Sequence, residues 1–108
     1  MTPLERLTNS NTKGNLWIYI LTILKGGANY AWDLPEIIEK KFGFRPGNIT
    51  PYRVLYLLEE QGLVKSALEE RRRIYKITPQ GIEELEKVKK FYQSLLNKVL
   101  PYHLRGLI

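Results

Sequence analysis

Residues 48–62, NITPYRVLYLLEEQG, decide how the rest of the chain is read. Thr50 has the hydroxyl of a helix N-cap, able to accept a hydrogen bond from a free first-turn amide. Pro51 suits the first helical position, where its missing N–H costs nothing. Gly62 can take the positive φ of a helix end. Between these signals Pro51, Val54, Leu55, Leu58 and Gly62 fall on one face at 3.6 residues per turn. Tyr52, Arg53, Tyr56 and Glu60 fall on the opposite face. The stretch is therefore expected to be a helix with one side committed to a core. Its other side carries two phenols and a cation near the helix start.

The segments around it extend the pattern. Upstream, Leu34, Ile37, Ile38 and Phe42 form a helical stripe, and the breaker-rich turn Gly43-Phe44-Arg45-Pro46-Gly47 follows. Asp33 with Glu36 three residues on has the form of a capping box. Downstream, residues 63–68 and 73–78 are two strand candidates, the second rich in β-formers at Ile74, Tyr75 and Ile77. The charged tip Glu69-Glu70-Arg71-Arg72 lies between them. A third short partner strand is expected near residues 30–32. Helix, turn, helix, then hairpin is the order of a winged helix-turn-helix, so the expected fold is mostly α with a small β-hairpin wing. Thr78-Pro79 repeats the cap-plus-proline signal and starts a last, long helix, expected over residues 79–100 and ended by Pro101.

The two ends carry the association signals. Residues 1–15 read as a flexible N-terminal arm with at most a short helical turn. The first core helix, residues 16–25, is apolar on two sides: Leu16, Tyr19, Ile20, Ile23 and Leu24 on one, Trp17, Ile18 and Leu21 on the other. Either a second subunit or the chain's own last helix must cover that second side, and the size of the patch favours a second subunit. In the last helix Leu85, Val88, Tyr92, Leu95 and Val99 repeat at heptad spacing. The expected division is 1–15 arm, 16–78 winged helix-turn-helix, 79–100 dimerisation helix and 101–108 apolar tail.

Bulk properties narrow the function. A chain of 108 residues makes one domain. Its 17 Lys and Arg against 11 acidic residues leave a net charge of +6, which suits a polyanionic partner. There is no cysteine and one histidine, His103, so thiolate metal sites and a histidine triad within one chain are excluded. No glycine-rich phosphate loop and no carboxylate pair placed for catalysis is recognisable, so no enzyme, metal or cofactor is expected. The longest apolar run is too short for a bilayer, and a cytoplasmic protein with no membrane partner is expected.

Three groups of residues stand in a telling order: Leu24-Lys25-Gly26-Gly27 with Tyr30-Ala31-Trp32-Asp33-Leu34, then Tyr52 and Leu55 with Leu58-Glu59-Glu60-Gln61-Gly62-Leu63-Val64, and last Arg71-Arg72-Arg73-Ile74-Tyr75-Lys76-Ile77-Thr78 with Gly81 and Leu85. Together they resemble the PadR-like transcriptional regulators. The resemblance spans about residues 16–99; each motif is common alone, and their order and spacing carry the specificity. Family members often have His-Gly-Tyr where this chain has Tyr30-Ala31-Trp32, Tyr-Pro where it has Tyr52-Arg53, and a glycine at the wing tip. The resemblance implies a homodimeric DNA-binding repressor or regulator, joined through the first and last helices.

The residues themselves suggest how such a protein would bind double-stranded DNA. Arg53 can donate two hydrogen bonds to guanine O6 and N7, while Tyr52 and Tyr56 can bond phosphate or bases or pack on a thymine methyl. Asn48 and Thr50 stand where a helix N-terminus favours a phosphate, although Thr50 serves first as a cap. Arg71, Arg72 and Arg73 on a hairpin tip could enter the minor groove or clamp its phosphates, with Lys65 a weaker candidate. Alternation would send Arg71 and Arg73 to one side and Arg72 to the other. The dimer interface is expected to take Trp17, Ile18, Leu21, Leu85, Val88, Tyr92, Leu95 and Val99. Trp17 and Trp32 could also line an effector pocket, although burial in the core is the plainer role for both. The alternatives are a winged-helix protein-interaction module and a non-specific nucleic-acid-binding protein.

Overall fold

The computed structural model describes the backbone of residues 1–106 and the side chains of residues 1–99. The helices are α1 (Pro3–Ser10), α2 (Leu16–Lys25), α3 (Leu34–Phe42), α4 (Thr50–Glu60) and α5 (Pro79–Gly106). The strands are β1 (Asn29–Tyr30), β2 (Val64–Glu69) and β3 (Arg72–Ile77), in sheet order β1-β3-β2 and antiparallel throughout. This is a mostly helical fold with a small three-stranded sheet, as expected.

The core is built around α2. Ile20, Leu21 and Leu24 meet Leu34 and Ile38 of α3, Leu55 and Leu58 of α4, and Val64 and Tyr75 of the sheet. Burial of each large aliphatic side chain is worth roughly 1.5–3 kcal/mol. Helix α4 ends as its glycine suggested. Gly62 sits at φ +78°, its amide bonds to Glu59, and the Leu63 amide reaches back to the Leu58 carbonyl at 2.9 Å. That pair of bonds is a Schellman motif, closed by the apolar side chains of Leu58 and Leu63. Gly81 is needed for a different reason: a Cβ there would stand 2.2 Å from the Leu63 carbonyl oxygen, so only glycine lets the start of α5 pack on the strand entry.

Several expectations are corrected. Residues expected to be a flexible arm form α1, capped by the Thr2 hydroxyl at the Glu5 amide (3.1 Å) and joined to α2 by a 3-10 turn at Lys13–Asn15. Thr50 does not cap α4. Ile49 before it already has helical backbone angles, so Thr50 lies inside the helix, where its hydroxyl cannot reach the first-turn amides. Asp33 makes no capping box either, because the 3-10 turn Ala31–Asp33 gives it helical angles too. Thr78 does cap: its hydroxyl accepts from the Gly81 amide at 3.1 Å and donates to the Gly62 carbonyl at 2.7 Å.

Two more corrections concern the association surfaces. Leu21 is fully buried in the core of its own chain and has no surface to offer a partner. Helix α5 of the same chain lies against α2, leaving Trp17 and Ile18 half-buried beside Val88 and Tyr92. The chain thus covers much of the second apolar side of α2 itself. Helix α5 also continues through Pro101 to Gly106. A proline removes one backbone donor and crowds the preceding turn, but here it does not end the helix. The side chains of the expected tail, residues 101–108, lie outside the described residues.

Candidate nucleic-acid interface

The candidate site has two parts, the outer face of α4 and the hairpin of β2 and β3. Pro51, Leu55 and Leu58 anchor α4 in the core, which turns Tyr52, Arg53, Tyr56, Leu57 and Glu60 to solvent. Tyr56 is 66% exposed. Among the described residues, Tyr52, Arg53 and Tyr56 make no side-chain hydrogen bond or ion pair, and Asn48 and Thr50 are exposed at the helix start. The face is a row of donors fixed by a rigid helix and held by nothing else.

The hairpin is tighter than a four-residue tip. Glu69 pairs with Arg72, and only Glu70 and Arg71 make the turn, both at positive φ (48° and 67°). Two-residue hairpin turns of this hand favour asparagine and glycine, so two ordinary side chains here store backbone strain, on the order of 1–2 kcal/mol per residue. Arg71 belongs to this turn and stands outside the alternation expected of it.

Arg72 and Arg73 do point to opposite faces, and each finds partners. Arg72 stacks on the Tyr30 ring, 3.9 Å from its centroid, and stands 3.8 Å from the Asp33 carboxylate. Tyr30 donates to Glu69 at 3.4 Å. Loss of solvent, then the Glu69 charge, push the Tyr30 hydroxyl above its usual pKa. On the other face Arg73 donates to the Ser66 hydroxyl at 3.0 Å. The Ser66 hydroxyl and amide both donate to the Glu59 carboxylate, at 2.8 and 2.9 Å. Glu59 therefore ties α4 to the wing. Burial and then Glu59 raise the pKa of Tyr75 behind it, so Tyr75 is neutral at pH 7.

Lys65 pairs with Lys76 across the hairpin, on the face opposite Ser66 and Arg73. The structure does not bring Lys65 to the α4 side. Counting back from the turn would have paired Lys65 with Lys76; the roles of Tyr30, Asp33, Glu59 and Ser66 needed the tertiary fold. Trp32 is a correction: it is 69% exposed, because the 3-10 turn directs Ala31 and Leu34 inward and throws Trp32 out beside Arg45 and Asn48. Trp17 and Trp32 line separate clefts, so they do not form one effector pocket.

A three-helix core, a helix with an open polar face and an adjoining hairpin define a winged helix-turn-helix of the kind used by transcription regulators. The model of the transcriptional regulator PadR-like family matches residues 20–87, and the chain belongs to that family. Among solved structures, it is similar to a transcriptional regulator from Clostridium thermocellum at 27% identity and TM-score 0.72, covering 82% of this chain and 92% of that one. It is similar to a PadR-like regulator from Bacillus cereus at 27% identity and TM-score 0.68, covering 81% and 89%. A PadR-family regulator from Eggerthella lenta, at 23% identity and TM-score 0.77 over 89% and 88%, shares the fold. No curated protein matches this sequence. The family is one of transcriptional regulators, and among the described residues no helix is long and apolar enough to cross a membrane.

Proposed function

We propose that the chain is a sequence-specific binder of double-stranded DNA that acts in the cytoplasm as a homodimer, and as a repressor. Each α4 enters the major groove of one half-site, and the operator is a near-palindrome with half-site centres about 34–36 Å apart. The observation that carries this reading is the outer face of α4, where Tyr52, Arg53 and Tyr56 project from a rigid helix without partners among the described residues. Arg53 reads a base edge, Tyr52 and Tyr56 meet bases or phosphate, and Asn48 and Thr50 meet the backbone at the helix start. Arg71 at the wing tip and Arg73 beside α4 meet phosphates. Lys65, on the far face, falls outside this footprint.

The dimer is proposed through α5. The heptad row divides in two: Leu85, Val88 and Tyr92 are half-buried, Leu85 against the chain's own core, while Leu95 and Val99 are exposed. Phe91 and Leu96, which the heptad count missed, are exposed beside them and enlarge the apolar surface left for a second copy. Trp17 and Ile18, half-buried beneath α5, stand at its edge.

Titration of a labelled mixed-sequence duplex at 50 and 200 mM salt tests the nucleic-acid part. Six to ten phosphate contacts per dimer predict an affinity loss of about 10³–10⁵ between those concentrations. An affinity that does not respond to salt would contradict a DNA interface and favour a protein partner on the same face.

A further inference from the structure

The polar row on the outer face of α4 has an apolar member one turn ahead of it. Ile49 precedes the helix with backbone angles already helical (φ −88°, ψ −32°), and its carbonyl accepts from the Tyr52 amide at 3.1 Å. The helical period therefore runs through it. Ile49, Tyr52, Arg53 and Tyr56 stand at i, i+3, i+4 and i+7, on one face. The Ile49 side chain is 71% exposed.

Neither structural role open to a residue at this place accounts for it. An aliphatic side chain is a poor helix cap, and Ile49 makes no side-chain cap bond. An apolar residue ahead of a helix can staple it by packing back on the first turns, but a side chain this exposed is not packed on them. Its position is nonetheless fixed. Pro46 and Pro51 are buried on either side of the exposed residues 47–50, so the backbone that presents Ile49 is pinned at both ends.

The first residues of a recognition helix are the ones that reach base edges. To an apolar side chain the major groove offers one principal feature, the 5-methyl group of thymine. We infer that Ile49 is a specificity residue that packs on a thymine methyl in each half-site and so selects a T·A pair there. The inference rests on the reading of α4 proposed above and adds a position that neither charge nor hydrogen bonding reads. Arg53 lies four residues further on, about 6 Å along the helix axis. With bases spaced about 3.4 Å apart along a strand, the selected thymine stands about two base pairs from the pair that Arg53 reads.

Replacing thymine by deoxyuridine removes the methyl group and leaves every hydrogen-bonding edge in place. On a duplex selected from a random pool, single deoxyuridine replacements should find a thymine in each half-site at which the parent loses about fourfold in affinity, the worth of one buried methyl group. Ile49→Ala should bind the thymine and deoxyuridine duplexes alike. Ile49→Val should keep part of the difference, and Arg53→Ala should keep all of it. Ile49→Ala should melt at the temperature of the parent, because the side chain is exposed in the single chain. A scan in which no thymine behaves this way, or an Ile49→Ala variant that melts well below the parent, would overturn the role of Ile49 and leave α4 as the reading helix of the selected duplex. A pool from which no sequence is selected removes the reading of α4 and the role of Ile49 together.

Discussion

The outer face of α4 and the wing carry similar side chains in opposite circumstances. On α4, Arg53 stands beside two tyrosines, and none of the three has a polar partner among the described residues. On the wing, Arg72 is stacked on Tyr30 and paired with Asp33, and Arg73 is tied through Ser66 to Glu59. A donor without a partner on a rigid helix loses no internal bond when it meets a base edge. A cation already held gives up part of its bonding to meet a phosphate. On the proposed reading this difference divides the labour: α4 would discriminate between sequences, and the held arginines would set the angle at which the wing approaches any sequence.

The largest expected effect is on α4. Arg53→Ala should lower discrimination at one base pair by about 1–3 kcal/mol, read by competition between a selected site and its single-base variants. If Arg53→Ala weakens all sequences alike, α4 and the wing are not different in kind. Next comes the wing turn. Glu70→Asn/Arg71→Gly gives both positive-φ positions residues that accept them and should stabilise the fold by about 1 kcal/mol in urea unfolding. The same variant removes the phosphate contact proposed for Arg71, so its salt slope should fall by about one. The smallest effects concern the held pair. Arg72→Ala should weaken binding to every duplex by a similar, modest factor. Asp33→Asn removes a carboxylate and releases Arg72, and should tighten non-specific binding a few-fold at low salt, an effect that vanishes at high salt. Sequence-dependent changes in either variant would mean that the wing reads bases.

Most of the fold was legible because its signals are local. The stripes of α2, α3 and α4, the glycine that ends α4 and the alternation of the hairpin all act within a few residues. What escaped was decided by neighbours. Thr50-Pro51 and Thr78-Pro79 are the same dipeptide, yet only Thr78 caps. It follows a strand, whereas Thr50 follows a residue already in helical conformation. Leu21 looked like one of three residues of a second apolar surface, and it proved to lie in the core, while Trp17 and Ile18 beside it are half-buried. Trp32 looked like a core residue by type, but a 3-10 turn set its direction. At the site, the exposed row on α4 followed from helical period alone. The partners of Arg72 could not be found that way, because Asp33 and Tyr30 are about forty residues away in sequence.

If α4 reads a specific duplex and does so in pairs, selection from a random duplex pool, with the mass of the bound species measured on the enriched sequence, will return a near-palindrome whose half-sites lie about one helical turn apart, bound by two copies of the chain. No enriched sequence, or a single unpaired half-site bound by one copy, would contradict that reading.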